Sequence, residues 1–150
     1  MKIKVLNKKE SKEIFGIING QFGSDFSTEK IFFLSGYDLY IANRETLEGI
    51  REEWRVNELG LYLGEIKGNQ IRLSIEGSQL VGPTATKNVL EIDKNEMKNW
   101  LAGQTIETQS PDTTYVMIKC GNDFIGCGKV KEKKLLNFVP KTRRIIGRGL

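Results

Sequence analysis

Apolar residues along this chain follow two rhythms, and the change falls near residue 55. Residues 2–6 alternate as a short strand does. Asn7 then stands as a helix N-cap with Glu10 three residues on, a box-like spacing at which each side chain can serve the other's backbone amide. Ile14, Phe15, Ile17, Ile18 and Phe22 share one stripe of that helix, and Gly20 and Gly23 stop it. A stripe at this spacing is ordinarily a core face. Residues 31–34 and 37–42 are rich in aromatic and branched side chains around Ser35-Gly36, which predicts a hairpin. Residues 43–54 predict a second helix capped by Asn43, with Leu47, Ile50 and Trp54 at helical spacing and Gly49 weakening it.

Beyond Arg55, short strands with frequent glycines take over. Residues 56–66 predict a strand around Gly60 and Gly64, residues 67–70 a hairpin turn, and residues 71–75 a strictly alternating strand. Residues 76–86, containing Pro83, predict a loop or one short helical turn. Asp93 opens the best-marked helix. Glu96 completes a capping pair, Ile92 and Met97 occupy the staple positions, and Gly103 ends it. Met97, Trp100 and Leu101 share its face, a spacing that favours the core for Trp100 over a stacking platform. Residues 105–109, 113–120, 124–130 and 135–139 predict strands, with turns at 110–112 and 121–123, and residues 143–146 predict one more short strand. Many short strands with one capped helix suggest a small barrel or sandwich.

Composition narrows the chemistry. A chain of 150 residues, 39% hydrophobic and 28% charged, fits one domain or two small lobes and can bury its own core. There is no histidine, which excludes Ser-His-Asp and Cys-His catalysis and histidine-based zinc sites. Cys120 and Cys127 lack CxxC spacing and predict small packing residues. Neither a secretory signal nor a membrane-length apolar run is present, so no membrane partner is expected and the cytoplasm is the expected compartment.

The net charge of +4 is unevenly spread. Residues 119–150 hold nine Lys or Arg against Asp123 and Glu132, a balance of +7, and residues 1–118 carry a balance of −3. Concentrated positive charge attracts polyanions, although a solvated basic edge explains lysines alone equally well. Lys129, Lys131, Lys133, Lys134 and Lys141 flank a predicted hairpin and can reach phosphates. Arg143, Arg144 and Arg148 can bind phosphate bidentately or stack on bases. Asn137 offers a donor and an acceptor to a base edge, and Phe138 serves either stacking or the core. Gly126-Cys127-Gly128-Lys129 lacks the following helix that a phosphate loop needs. The carboxylates Glu45, Glu48, Glu52 and Glu53 lie beside Arg44, Arg51 and Arg55, and helix ion pairs account for them. No cofactor is called for.

The order of these motifs carries a resemblance. The helix after Asp93, then Tyr115-Val116-Met117-Ile118, Gly126-Cys127-Gly128-Lys129, Leu136-Asn137, Pro140-Lys141 and Arg143-Arg144 resemble the C-terminal PUA-like domain of the Sun/Fmu-type rRNA cytosine methyltransferases. Gly60-Leu61-Tyr62-Leu63-Gly64-Glu65 is similar to a strand of the same family, and the resemblance covers residues 55–146. Residues 1–55 look like the small α/β lobe that often precedes a PUA barrel. Free-standing relatives of the domain are assigned to ribosome biogenesis. Cys127 stands where the pattern has Trp. The methyltransferase domain, with its cofactor loop and catalytic cysteine, has no counterpart here, so the resemblance implies RNA binding without that activity.

The expectation is thus an α+β fold, with a small mixed lobe at 1–55 and a PUA-like β pseudo-barrel with one or two short helices at 56–150. The expected function is non-catalytic binding of structured RNA, rRNA or tRNA, in ribosome biogenesis or RNA modification. Lys129, Lys131, Lys133, Lys134, Lys141, Arg143 and Arg144 would contact phosphates, and Asn137 a base or ribose. The alternative is a protein-interaction scaffold in ribosome assembly, working through Phe32, Phe33, Tyr37 and Tyr40. A ribosome-assembly or RNA-modification protein is then the expected partner.

Overall fold

The computed structural model describes residues 2–51 and 53–145. It is an α+β fold of two five-stranded sheets, one of them curled into a half-barrel. The first sheet orders its strands β1 (Lys4–Val5), β2 (Ile31–Ser35), β3 (Asp38–Ala42), β4 (Leu61–Lys67) and β5 (Gln70–Leu73), all antiparallel. Helix α1 (Lys8–Phe22) begins as its sequence dictates: Glu10 N donates to Asn7 Oδ1 at 2.8 Å, and Asn7 N donates to Glu10 Oε1 at 3.1 Å. Its stripe of Ile14, Ile18 and Phe22 is buried in one core with Phe32, Leu39, Ile41, Leu63, Ile71 and Leu73. The other face of the sheet carries Phe33 and Ala42, covered by Leu59 and the partly buried Leu47, Ile50 and Trp54.

Two elements differ from the sequence expectation here. The helix expected over 43–54 is only α2 (Arg44–Glu48), and Asn43 makes no side-chain cap. Gly49 closes it, as a residue without a side chain does when no further i to i+4 contacts hold the turn. Residues 56–59 are helix α3 (Val56–Leu59), not strand, because Glu58 reaches back to the Arg55 amide at 3.3 Å and fixes one turn. Strands β4 and β5 continue the first sheet, so the change of rhythm at residue 55 marks these short helices and not the edge of a sheet.

The second sheet runs in the order β6 (Val89–Glu91), β8 (Tyr115–Cys120), β9 (Asp123–Lys131), β10 (Lys134–Asn137) and β7 (Ile106–Glu107). Only β6 pairs in parallel. Between the sheets, residues expected as a strand end followed by a loop or one short helical turn form α4 (Ile75–Val81), capped by Ser74, whose Oγ accepts from Gly77 N at 2.9 Å. A 3-10 turn at Gly82–Thr84 follows. The strand expected at 143–146 is instead a 3-10 turn at Lys141–Arg143, after which Ile145 N donates to Leu101 O at 2.8 Å. Ile146 and Arg148 lie outside the described residues.

Helix α5 (Lys94–Leu101) starts with the anticipated box, Glu96 N to Asp93 Oδ1 at 2.7 Å and Asp93 N to Glu96 Oε1 at 3.0 Å. It drives Trp100 into a second core with Val116, Ile118, Val130 and Leu135, where the indole Nε1 donates to Ile125 O at 2.9 Å. Gly128 passes directly beneath that ring, and a Cβ there would sit 2.8 Å from the indole and from Leu135. The opposite face of the second sheet, with Met117 and Cys127, joins the first core.

Two polar side chains stitch the sheets together. Gln21 Nε2 donates to Ile71 O at 3.0 Å and Tyr115 O at 3.2 Å, and its Oε1 accepts from Ile71 N at 2.7 Å. Fully buried Ser78 accepts from Gly126 N at 2.9 Å and donates to Ile75 O at 2.7 Å. Such buried bonds are worth about 1 kcal/mol each when made and cost more when broken on one side.

Candidate nucleic-acid interface

The lysine cluster forms the tip of the β9–β10 hairpin. Lys131 pairs with Lys134 across the ladder, and Glu132 and Lys133 make the two-residue turn. Both turn residues have positive φ, 52° and 63°, a conformation that favours Asn or Gly and here is held without either. What holds it is the neighbouring loop. Glu132 N donates to Asp112 Oδ1 at 2.9 Å, and Lys133 O accepts from Thr108 N at 3.0 Å. The tip therefore presents Lys131, Lys133 and Lys134, all exposed, from a tethered frame. Lys131 and Lys134 directly oppose each other, an arrangement that is unfavourable until a counter-charge arrives. Glu107 on β7 lies opposite Lys134 and relieves part of it.

The remaining candidates fall into different environments. Lys129 is half-buried with its Nζ 5.5 Å from the centre of the Tyr115 ring, and it faces the joint between the sheets. Lys141 is exposed in the 3-10 turn that follows β10, at the end away from the tip. Arg143 is partly exposed and its Nη1 pairs with Glu76. Arg144 is half-buried, packs against Gly103 and donates from Nε to Val139 O at 3.1 Å, so it braces the chain after β10.

Asn137 departs most from its expected role. Its Nδ2 donates to Trp100 O at 2.7 Å and Gln104 O at 2.9 Å, and its Oδ1 accepts from Val139 N at 2.7 Å. Both amide hydrogens and the carbonyl are committed to backbone, two of them to the end of α5. A base contact would require breaking these bonds. Asn137→Ala is expected to lower the unfolding free energy by about 1–3 kcal/mol, read as a shift in the urea midpoint. An RNA affinity that falls at unchanged stability would return Asn137 to the binding surface.

The structure also adds residues that patterning did not single out. Arg72, on β5, lies 4.7 Å over the centre of the Phe138 ring. Phe138 meets Tyr115 edge-on, with centroids 5.8 Å apart. Residues 71–75 were legible as an alternating strand, but nothing local indicated a ring from residue 138 beside Arg72. In the first sheet Phe32 and Phe33 are buried and Tyr40 stacks on Phe33 at 5.0 Å. Tyr37 is the one exposed aromatic of the four expected for a scaffold surface.

Cys127 and Cys120 are buried free thiols, and burial pushes Cys127 up to about 12. The Glu65 carboxyl is held below its usual range by its hydrogen bond from Lys67 and the Arg72 charge. Among the described residues no cluster of three His, Cys, Asp or Glu could hold a metal ion, and no helix is long and apolar enough to cross a membrane. Glu52 lies outside the described residues.

Residues 87–145 match the family model described as the methyltransferase RsmF PUA domain. That span holds β6 to β10, α5 and the lysine hairpin. The chain is also similar to ribosomal RNA small subunit methyltransferase F of Vibrio cholerae serotype O1 (strain M66-2), 21% identical over 134 residues, which are 89% of this chain and 28% of that protein. The enzyme of the same description from Vibrio vulnificus (strain YJ016) is 23% identical over 135 residues, 90% of this chain and 28% of its own length. The chain thus spans little more than a quarter of the curated relatives it matches.

Proposed function

We propose, on the premise that residues 87–145 match a PUA domain of rRNA methyltransferases, that this chain binds structured RNA without itself catalysing a reaction. The target is rRNA or tRNA, and the setting is cytoplasmic ribosome biogenesis or RNA modification. The carrying observation is the tethered hairpin tip, where three exposed lysines stand together and two of them face each other with only Glu107 as partial relief. A polyanion relieves that repulsion. Lys141 and the half-buried Lys129 extend the same positive field along β10 and β9.

Phosphate contacts of this kind position an RNA and carry little sequence information. They also fix the salt dependence. Filter binding of total RNA is expected to weaken log-linearly with salt, with about 0.7 in slope per phosphate contact for single strands and about 0.9 for duplex. Affinity independent of salt, or no retention at all near 0.1 M, would overturn the reading.

A further inference from the structure

We infer that the cleft between the two sheets is a pocket for one unstacked pyrimidine base of a bound RNA strand. This rests on the RNA-binding reading and deepens it. The cleft encloses about 110 Å³. Tyr62 and Arg72 of the first sheet and Phe138 of the chain after β10 line it together. Glu76 and Arg143, both partly exposed and paired with each other, form its rim.

Size limits the ligand. A water occupies about 30 Å³ of liquid, so the cleft replaces three or four waters. Whole-nucleotide and cofactor sites need roughly 300–1,000 Å³. A single six-membered ring fits, and a purine is crowded.

The lining brings aromatic, guanidinium and carboxylate groups together beside the aliphatic Leu73, Ile75, Val139 and Pro140. Tyr62 and Phe138 offer aromatic rings, and the Arg72 guanidinium lies 4.7 Å over the Phe138 ring. Stacking on aromatic and guanidinium planes is how unpaired bases are held. At the rim, the Glu76 carboxylate can accept from an exocyclic amino group, and the Arg143 guanidinium can donate to a ring carbonyl. The two are paired with each other in the structure, and a cytosine edge, which carries both groups, would take the place of that pairing.

The glycine that began the Gly-x-Gly-Lys motif finds its use here. Gly126 lines the floor at φ 103°, where no side chain is easily tolerated, and leaves bare backbone beneath the ring. The cleft also continues the proposed interface. Phe138 touches Tyr115, and Lys129 sits over Tyr115 on the way to the hairpin tip. A strand whose phosphates follow β9 can turn one base inward.

The test uses two eight-unit oligonucleotides of equal charge on the full chain, one fully abasic and one abasic except for a single central cytidine. The cytidine is expected to raise affinity about tenfold, within the range for one stacked base. Phe138→Leu and Arg72→Met are each expected to erase that gain while leaving abasic binding in place. The paired variants guard against one of them failing to fold. If neither oligonucleotide binds while total RNA is still retained on the filter, the pocket alone is wrong; if total RNA is not retained either, the RNA-binding reading fails. If both bind equally, or the gain persists in both variants, the pocket alone is wrong. A larger gain from adenosine than from cytidine would overturn the pyrimidine assignment.

Discussion

Trp100→Ala is expected to lower the unfolding free energy by about 3–5 kcal/mol, the range for removing a buried large aromatic. The indole is fully buried, and it is the largest of the fully buried side chains. Its loss has three parts. The apolar contacts with the second core vanish, and that core spans β6, β8, β9 and β10 together with α5. The Ile125 carbonyl loses its donor in a place that water cannot easily reach. Gly128, which runs beneath the ring because it has no side chain, cannot fill the void. Trp100→Phe should recover part of the packing and none of the hydrogen bond, and so fall between. For a chain of this size the alanine variant corresponds to a fall in melting midpoint on the order of 10 °C. Calorimetry on the purified variant checks it. A fall of less than about 1 kcal/mol would mean that α5 re-docks without its anchor, and would undercut the second core as the platform for the hairpin.

The parts of this structure that the sequence displayed are the ones decided locally. Asn7 with Glu10 and Asp93 with Glu96 interact across three residues, so their helix starts needed no tertiary knowledge. Trp100 was assignable to the core because its neighbours Met97 and Leu101 share its face within one turn. Non-local decisions were hidden. Strand β6 exists because three residues find β8 in parallel, a partner about 28 residues downstream with no hairpin to announce it. Helix α3 is a single turn, Val56–Leu59, too short to show a helical period, and the Glu58 contact to the Arg55 amide fixes it.

The same distinction divides the candidate site. That the cations gather near the C-terminal end was legible as a count. Which of them remain free was not, because Arg143 meets Glu76 from 67 residues away. Asn137 shows the limit most sharply. An amide that reads a base and one that closes a helix end are the same residue in the same motif. The difference lies in where the carbonyls of Trp100 and Gln104 point, which α5 determines. Gly126 and Gly128 were conspicuous as a pair, yet one floors a cleft and the other clears space for an indole.

Reversing the hairpin tip with Lys131→Glu, Lys133→Glu and Lys134→Glu is expected to weaken RNA binding about 100-fold at 0.1 M salt. The magnitude follows from counterion release. Three single-strand phosphate contacts contribute about 2 to the salt slope, and 0.1 M lies one decade below 1 M, so about two decades of affinity depend on them. The slope itself should fall by about 2 in a titration from 0.05 to 0.5 M, a second readout that a folding defect would not mimic. Net charge is controlled for by Lys8→Glu, Lys9→Glu and Lys12→Glu, three exposed lysines on α1, which packs on the first sheet. That variant carries the same overall charge and should keep most of the slope. Equal losses in the two triples would mean that the chain attracts RNA by its total charge, and the tip would lose its claim. Stability should move the other way from affinity. Lys131 and Lys134 repel each other across the ladder with Glu107 as partial relief, so Lys131→Gln should leave stability unchanged or raise it by a few tenths of a kcal/mol. A tip that gains stability as it loses RNA is a surface kept charged for a ligand and not for the fold.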